Sequence, residues 1–242
     1  MRKSLAAALI AASAATSACG QNRAEDGGPT VSRNYQVGNF QEIDVGGPFD
    51  VTIRTGANPG VRATGSQKLI ERLVVEVKGD KLEIHPRREK GWFGGWGGNH
   101  RKATLEVTVP MLRAATLAGA GGMTIDRITG DSFEGQLAGA GDLRVDSVEV
   151  GSLKLGIAGA GNAVARSGRA QRAEYEIAGS GDIDAKAIAT EDLKVSVAGA
   201  GDIKAHATRA ANVSIMGAGD VEVTGGAKCS IHRAGAGDVR CS

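Results

Sequence analysis

The sequence predicts an all-β protein built as a parallel β-helix, or β-solenoid, of about seven coils with 18–20 residues each. A Gly-Ala-Gly-Asp-like phrase recurs at steps of 20, 20, 20, 20, 18 and 18 residues, and a period in this range is typical of solenoids. Apolar and polar residues alternate through every repeat. Aromatic residues make up only 3% of the chain, which suits a narrow core of aliphatic side chains. The phrases begin at Gly119, Gly139, Gly159, Gly179, Gly199, Gly217 and Gly235.

Each repeat is predicted to bend at its two glycines. In the repeat around Gly199, the residues Leu193, Val195 and Val197 lie at odd positions, as do both glycines, Gly199 and Gly201. Successive side chains of a strand point to opposite faces, so the odd positions are predicted to face inward and the even positions outward. Glycine also accepts the positive φ that such bends require. We expect two short strands and two turns in each coil.

The residue after the second glycine of each phrase is predicted to form a column on the outer surface. We expect these side chains to cap their turns by accepting hydrogen bonds from nearby backbone amides. A ladder of bound calcium ions is the alternative, although calcium-binding nonapeptides repeat every nine residues and place the aspartate differently. After Gly122, the column consists of Asp142, Asn162, Asp182, Asp202, Asp220 and Asp238.

Residues 1–18 have the pattern of a signal peptide. Arg2 and Lys3 precede a short apolar run that is too short to span a bilayer. Cys19 follows directly, which predicts cleavage before this residue and a lipid on it. The alternative is ordinary signal-peptide cleavage after Ala18, which leaves Cys19 without a lipid. Residues 19–32 are polar and contain glycine, and they predict a flexible tether.

A β-rich part at 33–110 is predicted to precede the repeats at 111–242 within one domain. Alternation at 49–54 and 104–109 predicts strands, Gly79-Asp80 predicts a hairpin, and 66–71 predicts one helical turn. A glycine-rich segment between the predicted strands at 81–85 and 104–109 is predicted either to cover an open end of the solenoid or to contact a ligand through its aromatic rings. Its aromatic residues are Trp92, Phe93 and Trp96.

Two cysteines are predicted to close the last coil. Cys229 and Cys241 lie six residues before and six residues after Gly235, and both have inward parity. Positions equally spaced about a glycine bend face each other, and an exported protein meets oxidising conditions, so we predict a disulfide between them. Free buried thiols are the alternative.

Charge and motifs exclude several classes of function. Without Arg2 and Lys3 the chain has 27 basic residues, from 29, against 27 acidic ones, so it lacks the basic field of nucleic-acid-binding proteins. The local run Arg166, Arg169 and Arg172 is interpreted as a solvated edge. The four histidines lack zinc-ligand spacing, and no catalytic motif occurs. We therefore predict no catalytic residue, no metal site, no cofactor and no nucleic-acid partner.

Three short motifs precede the repeats in a fixed order. Residues 40–53 are FQEIDVGGPFDVTI, residues 82–84 are LEI and residues 108–112 are TVPML, and the glycine-rich repeats follow them. In this order they resemble the head GIN domain family, described as auto-transporter adhesins of bacteria, over residues 33–242. The resemblance implies a parallel β-helical fold, an envelope location and no known catalysis, and it supplies no site residues.

We expect a non-enzymatic, exported adhesin or scaffolding protein that binds a glycan or a component of the cell surface. A lipid on Cys19 would hold it in the envelope of a Gram-negative bacterium, facing the periplasm or at the outer surface. One alternative is a polysaccharide-acting β-helix enzyme, which usually needs long loops around clustered carboxylates. The other is a self-assembling structural protein. The sequence predicts no oligomeric state.

Overall fold

The computed structural model describes residues 28–87 and 103–242, which form one 17-stranded sheet wound into a solenoid, with one short helix. It is 74% strand with about six turns, which confirms the predicted all-β parallel β-helix. Seven glycine phrases delimit six intervals along the chain. The elements are β1 (Thr30–Tyr35), β2 (Glu42–Gly46), β3 (Asp50–Thr55), β4 (Gly60–Ser66), α1 (Gln67–Glu71), β5 (Leu73–Lys78), β6 (Lys81–Pro86), β7 (Thr104–Val109), β8 (Ala114–Gly119), β9 (Gly122–Gly139), β10 (Asp142–Gly159), β11 (Asn162–Ala165), β12 (Gly168–Gly179), β13 (Asp182–Gly199), β14 (Ile203–Gly217), β15 (Val221–Thr224), β16 (Lys228–Gly235) and β17 (Val239–Cys241).

Each 20-residue coil has three straight sides rather than the two that the sequence predicted. Parallel pairing of β10 with β9 covers residues 142–145, 147–150 and 152–159, and it skips residues 146 and 151. The skipped residues lie at two corners, and the glycine phrase makes the third corner. We call the three segments the first side, the second side and the broad side of a coil.

The inward positions change parity at the corners. Val145 is buried, Asp146 and Ser147 are both partly exposed, and Val148 is buried again. Two consecutive outward residues turn the chain through a corner and shift the inward register from odd to even positions. The second side therefore buries Val148 and Val150, whereas the first side and the broad side follow the predicted odd positions.

The 18-residue coils are shortened on the second side. Pairing of β13 with β14 passes from Ala185 opposite Ala205 to Thr190 opposite Ala207, so one residue replaces four. One-to-one pairing of β13 with β14 resumes along the broad side and continues to the glycine corner. The broad side thus keeps an unbroken face through all the repeat coils, even though the period changes.

The solenoid begins before the repeats. Strand β2 lies between β6 and β8, and β3 lies between β7 and β9, with parallel pairing throughout. The coil of β2 and β3 is therefore enclosed between a coil that follows it in sequence and the first repeat coil. Its corner at 46–48 replaces a glycine phrase, and the Gly47 N–H donates a hydrogen bond to the Ala118 oxygen at 2.8 Å.

The two ends of the solenoid differ. Antiparallel strands close the N-terminal end, where β1 pairs with β4, β4 pairs with β7 and β5 pairs with β6. The predicted hairpin at Gly79-Asp80 and the predicted helical turn are both present there. At the other end, within the described chain, β16 and β17 pair with the preceding coil alone, so one edge of the last coil is open.

Candidate functional site

The acidic column runs along the outer surface beside the glycine corner. Asp182 Oδ1 accepts a hydrogen bond from the Asp202 N–H at 2.9 Å, and Asp202 Oδ1 accepts one from the Asp220 N–H at 2.8 Å. Asp220 Oδ1 accepts one from the Asp238 N–H at 2.9 Å. The bonds join successive coils, whereas the sequence predicted caps made by nearby amides of an Asx-type turn. The column therefore ties each coil to the next.

The column starts earlier than the sequence analysis placed it. Asp50 lies opposite Gly122, whose N–H donates to Asp50 Oδ1 at 3.1 Å. The signal in the sequence was an aspartate three residues after Gly47, which matches the spacing in every phrase. It was missed because Phe49 stands where the repeats have their second glycine. Further along, Asn162 Nδ2 donates to Asp142 Oδ1 at 3.1 Å, so the amide adds a bond without adding charge.

The spacing of the column decides how it can meet a cation. Adjacent coils lie about 4.8 Å apart, so three successive carboxylates span about 9.6 Å. A calcium ion instead needs six to eight oxygens at about 2.3–2.6 Å from itself. Within the described residues, no three members of the column bring ligand atoms within 4.8 Å of one another. The geometry does not support the calcium ladder that the sequence left open.

One group with metal-ligand chemistry lies elsewhere, on the hairpin of β5 and β6. Glu76 and Glu83 are directly opposite in that hairpin, and His85 is close to both. The Lys78 Nζ already lies between the carboxylates, 2.8 Å from Glu76 Oε1 and 2.7 Å from Glu83 Oε2. These hydrogen bonds raise the pKa of Lys78, and the bond from Lys78 lowers the pKa of Glu83. Lys78 therefore already supplies the cation of this group. The register of the hairpin, which sets Glu76 opposite Glu83, could have revealed the group from the sequence.

The broad side presents opposite charges in register. Lys194 Nζ lies 2.6 Å from Glu174 Oε1, one coil away, and Lys154 Nζ lies 3.3 Å from Glu176 Oε2. The hydrogen bond from Lys194 lowers the pKa of Glu174, and the pKa of each lysine is raised mainly by its partner carboxylate. Glu174 and Glu176 are thus neutralised by lysines of neighbouring coils.

The arginine run also forms bonds between coils. Arg166 Nη1 lies 3.0 Å from Asp146 Oδ1, and Arg169 Nε lies 2.8 Å from Glu149 Oε2. Arg169 and Glu149 line an open groove of about 520 Å³ at the corner between the second and broad sides. Two of the three arginines are paired with acids of the preceding coil while their side chains stay exposed, which supports the interpretation of this run as a solvated edge.

The remaining predicted residues fall at the two ends of the chain. A disulfide joins Cys229 to Cys241 in the last coil, as the parity argument predicted. Cys19 and the aromatic residues Trp92, Phe93 and Trp96 lie outside the described residues. No helix in the described ranges is long and apolar enough to cross a membrane.

The fold and these faces define a class of protein, the parallel β-solenoids whose outer charges bridge successive coils. The chain belongs to the head GIN domain family. The model of that family, described as "Putative auto-transporter adhesin, head GIN domain", matches residues 39–227, which confirms the resemblance found in the sequence. Membership indicates an adhesin-like protein of the cell envelope. No curated protein matches the chain.

Solved structures share the fold. A putative adhesin from Bacteroides fragilis is 22% identical and has a TM-score of 0.79, with 88% of this chain and 97% of that chain covered. A putative lipid binding protein from Parabacteroides distasonis is 23% identical with a TM-score of 0.70, covering 90% and 98%. A putative adhesin from Parabacteroides merdae is 17% identical with a TM-score of 0.70, covering 89% and 97%. At these identities the likeness establishes the fold alone.

Proposed function

We propose that this protein is a lipid-anchored, non-enzymatic binding rod of the bacterial envelope. The observation that carries the proposal is the position of the chain's first described residues at the capped end of the solenoid. Strand β1 pairs with β4 there, and the Gln67 N–H donates to the Pro29 oxygen at 2.9 Å. A tether from Cys19 would therefore hold the capped end near the membrane.

The rod would then project its last coil away from the anchor. Eight successive parallel pairings lead from β7 to β17 along the first side of the coils. At the usual strand spacing these steps span about 38 Å. A stiff spacer of this length, joined to a lipid by the segment from Cys19 to β1, would lift the outer faces above the membrane surface, where they can meet a partner. Residues 30–32, which the sequence assigned to the tether, belong to β1.

Binding rather than catalysis is supported by how the described charges are arranged. Glu174 and Glu176 of the broad side are engaged with lysines one coil away, and Asp192 is engaged with Arg209. Hydrolases of polysaccharides need a pair of carboxylates free to exchange protons and to attack the sugar. Flat faces of paired charges instead suit recognition of an extended surface, and family membership supports an adhesin-like role.

The anchor is tested by labelling cells with a palmitate analogue and fractionating them. The wild type is expected to carry the label and to follow the membrane fraction. Cys19→Ala should lose both, whereas the paired substitution of Cys229 and Cys241 by serine, which leaves Cys19 intact, should keep both. Unlabelled wild-type protein in the soluble fraction would contradict the anchor.

The partner is tested separately with the purified protein on a glycan array and on envelope fragments. The glycine-rich segment is our candidate contact, because tryptophan rings stack well on sugar rings. Replacing Trp92 and Trp96 together by alanine is expected to reduce glycan binding at least tenfold. Glu89→Ala combined with Lys90→Ala keeps the aromatic rings and should bind normally. Equal binding by the aromatic double variant and the wild type would reject this contact, and depolymerisation of a polysaccharide would favour the enzyme instead.

A further inference from the structure

Arg233 is out of place in the repeat. The pairing of β14 with β16 sets Arg233 opposite Ile215, in an inward column of the broad side. Every earlier repeat coil fills that column with a buried aliphatic side chain. In the last coil alone, among the described repeats, the column holds a charge. Its aliphatic members are Leu117, Leu137, Ile157, Ile177, Val197 and Ile215.

The guanidinium of Arg233 turns to the glycine corner of its own coil. Nη1 donates to the Gly237 oxygen at 3.0 Å and to Asp238 Oδ1 at 3.1 Å. In the preceding coils, one or the other of these two kinds of acceptor binds the backbone N–H at the same position of the next coil. Gly141 oxygen accepts from the Asn162 N–H at 3.1 Å, and Asp220 Oδ1 accepts from the Asp238 N–H at 2.9 Å.

We propose that Arg233 is an end cap that keeps a second copy of this chain from adding to the last coil. Its Nη1 holds the Gly237 oxygen and the Asp238 carboxylate, so both of the acceptors that earlier coils offer to the next coil are already engaged at this edge. The charge also stands in the apolar column that a second copy would have to cover. An inward-pointing charge at a sheet edge is a known means of preventing edge-to-edge pairing.

The need for a cap is visible in the last coil. Ile231 is 45% exposed there, although Val213, in the same column of the preceding coil, is buried at 1% exposure. Strand β16 also has an open edge, with a row of peptide groups available for pairing. The same face on two molecules would meet through a two-fold axis, so removal of the cap should give a dimer.

Arg233→Ile supplies the residue that the column otherwise uses, and Arg240→Ile is the matched control. Arg240 lies in the same coil and is exposed, with its side chain on the outward column of the first side. Full-length protein is purified in one detergent throughout, so that any anchor is common to all variants. Light scattering after gel filtration then gives the mass over a hundredfold range of concentration, and circular dichroism checks the fold.

Wild type and Arg240→Ile are expected to stay monomeric, whereas Arg233→Ile should double in mass as concentration rises. Arg233→Ala, which frees the acceptors without adding a larger apolar group, should do the same more weakly. A folded, monomeric Arg233→Ile at every concentration would overturn the proposal, and so would a wild type that dimerises as readily. A measurement on the wild type alone completes the test. The Arg233 Nη signals should be resolved and slow to exchange in NMR spectra, and averaged signals like those of Arg240 would refute the cap.

Discussion

The carbonyl oxygen of Gly161 lies only 2.1 Å from the point where a β-carbon on Gly181 would stand. Each of these glycines is the second of its phrase, and the two occupy the same inward corner in neighbouring coils. The corner is so narrow that stacked backbones leave no space for a methyl group. Glycine is required here by the contact between coils.

Gly181→Ala is therefore expected to lower the free energy of unfolding by about 3 kcal/mol, the upper range for overpacking a tight site. The backbone of Gly161 would have to move, and the Asp182 N–H that bonds to its oxygen would move with it. Gly38→Ala is the control, because nothing lies within 4 Å of its added β-carbon. Urea unfolding followed by circular dichroism measures both, and similar midpoints for the two variants would contradict the close packing.

The acidic column is expected to stabilise the stack through its acceptors rather than its charge. Asp202→Ala removes the acceptor of the Asp220 N–H and should cost about 1 kcal/mol, the usual net worth of a hydrogen bond. Asp202→Asn keeps an oxygen acceptor and relieves repulsion from the neighbouring carboxylates, so its stability should stay within about 0.5 kcal/mol of the wild type. Thermal unfolding separates the two, and an equal loss in both variants would mean that the charge itself is needed.

The lowered pKa of Glu174 predicts a loss of stability in acid. The hydrogen bond from Lys194 is the main cause, with burial acting against it. A carboxyl group whose pKa is lowered on folding stabilises the folded state at pH values above its ordinary pKa of 4.5. This stabilisation is lost as the pH falls through the pKa of the folded state. In Lys194→Met, NMR titration of Glu174 should show its pKa rising toward the ordinary value. Lys228→Met, at the far end of the broad side, should leave it unchanged, and an unaltered titration in Lys194→Met would exclude the pair as the cause.

The disulfide is expected to hold the last coil against fraying. Cys229 and Cys241 are 12 residues apart, and a loop of that size is worth about 3 kcal/mol in the chain-entropy model. Replacing both cysteines by serine should expose Lys228, Arg233 and Arg240 to trypsin while the preceding coils stay protected. Limited proteolysis with mass spectrometry reads out the cleavage sites. If the native protein and the double variant were cut at the same rate, the bond would have no part in closing the coil.

Tyr175 is expected to tolerate the loss of its hydroxyl. It is fully buried, and its hydroxyl has no hydrogen-bond partner among the described residues. Thr190 lowers the pKa of Tyr175 against the larger effect of burial, but the Thr190 hydroxyl itself donates to the Ile188 oxygen at 3.3 Å. Tyr175→Phe should therefore gain about 1 kcal/mol by removing an unsatisfied group. Tyr175→Ala should lose about 3–5 kcal/mol to the cavity.

The pH dependence of the same residue gives an independent check. Burial raises the pKa of Tyr175 above its ordinary value of 10.0, so the folded state retains a proton that the unfolded state releases. The stability that this proton contributes to the folded state is fully present below pH 10 and is lost as the pH rises through the raised pKa. Alkaline unfolding curves should therefore be shallower for Tyr175→Phe than for the wild type. Identical curves would mean that the hydroxyl finds a partner when it ionises.

Sequence reasoning succeeded for the features of the broad side and the glycine corner that one coil repeats from another. The period, the glycine corners and the inward parity of the broad side recur, so the pattern of Leu193, Val195 and Val197 held for every repeat coil before the last one. The disulfide followed from the same parity. The local antiparallel hairpin at Gly79-Asp80 was also predictable, because its turn chemistry is contained in adjacent residues.

The amino-acid sequence by itself determined that this protein is a glycine-cornered β-solenoid, because each coil must bury the same apolar edge against its neighbour. Only the tertiary structure decided what each polar group contacts. Asp182 bonds to a coil 20 residues away, Asp50 accepts a hydrogen bond from Gly122, 72 residues later, and Arg233 turns back on its own corner. These contacts depend on the stacking of coils across space, and a linear pattern records the spacing of residues without recording which coil lies beside them.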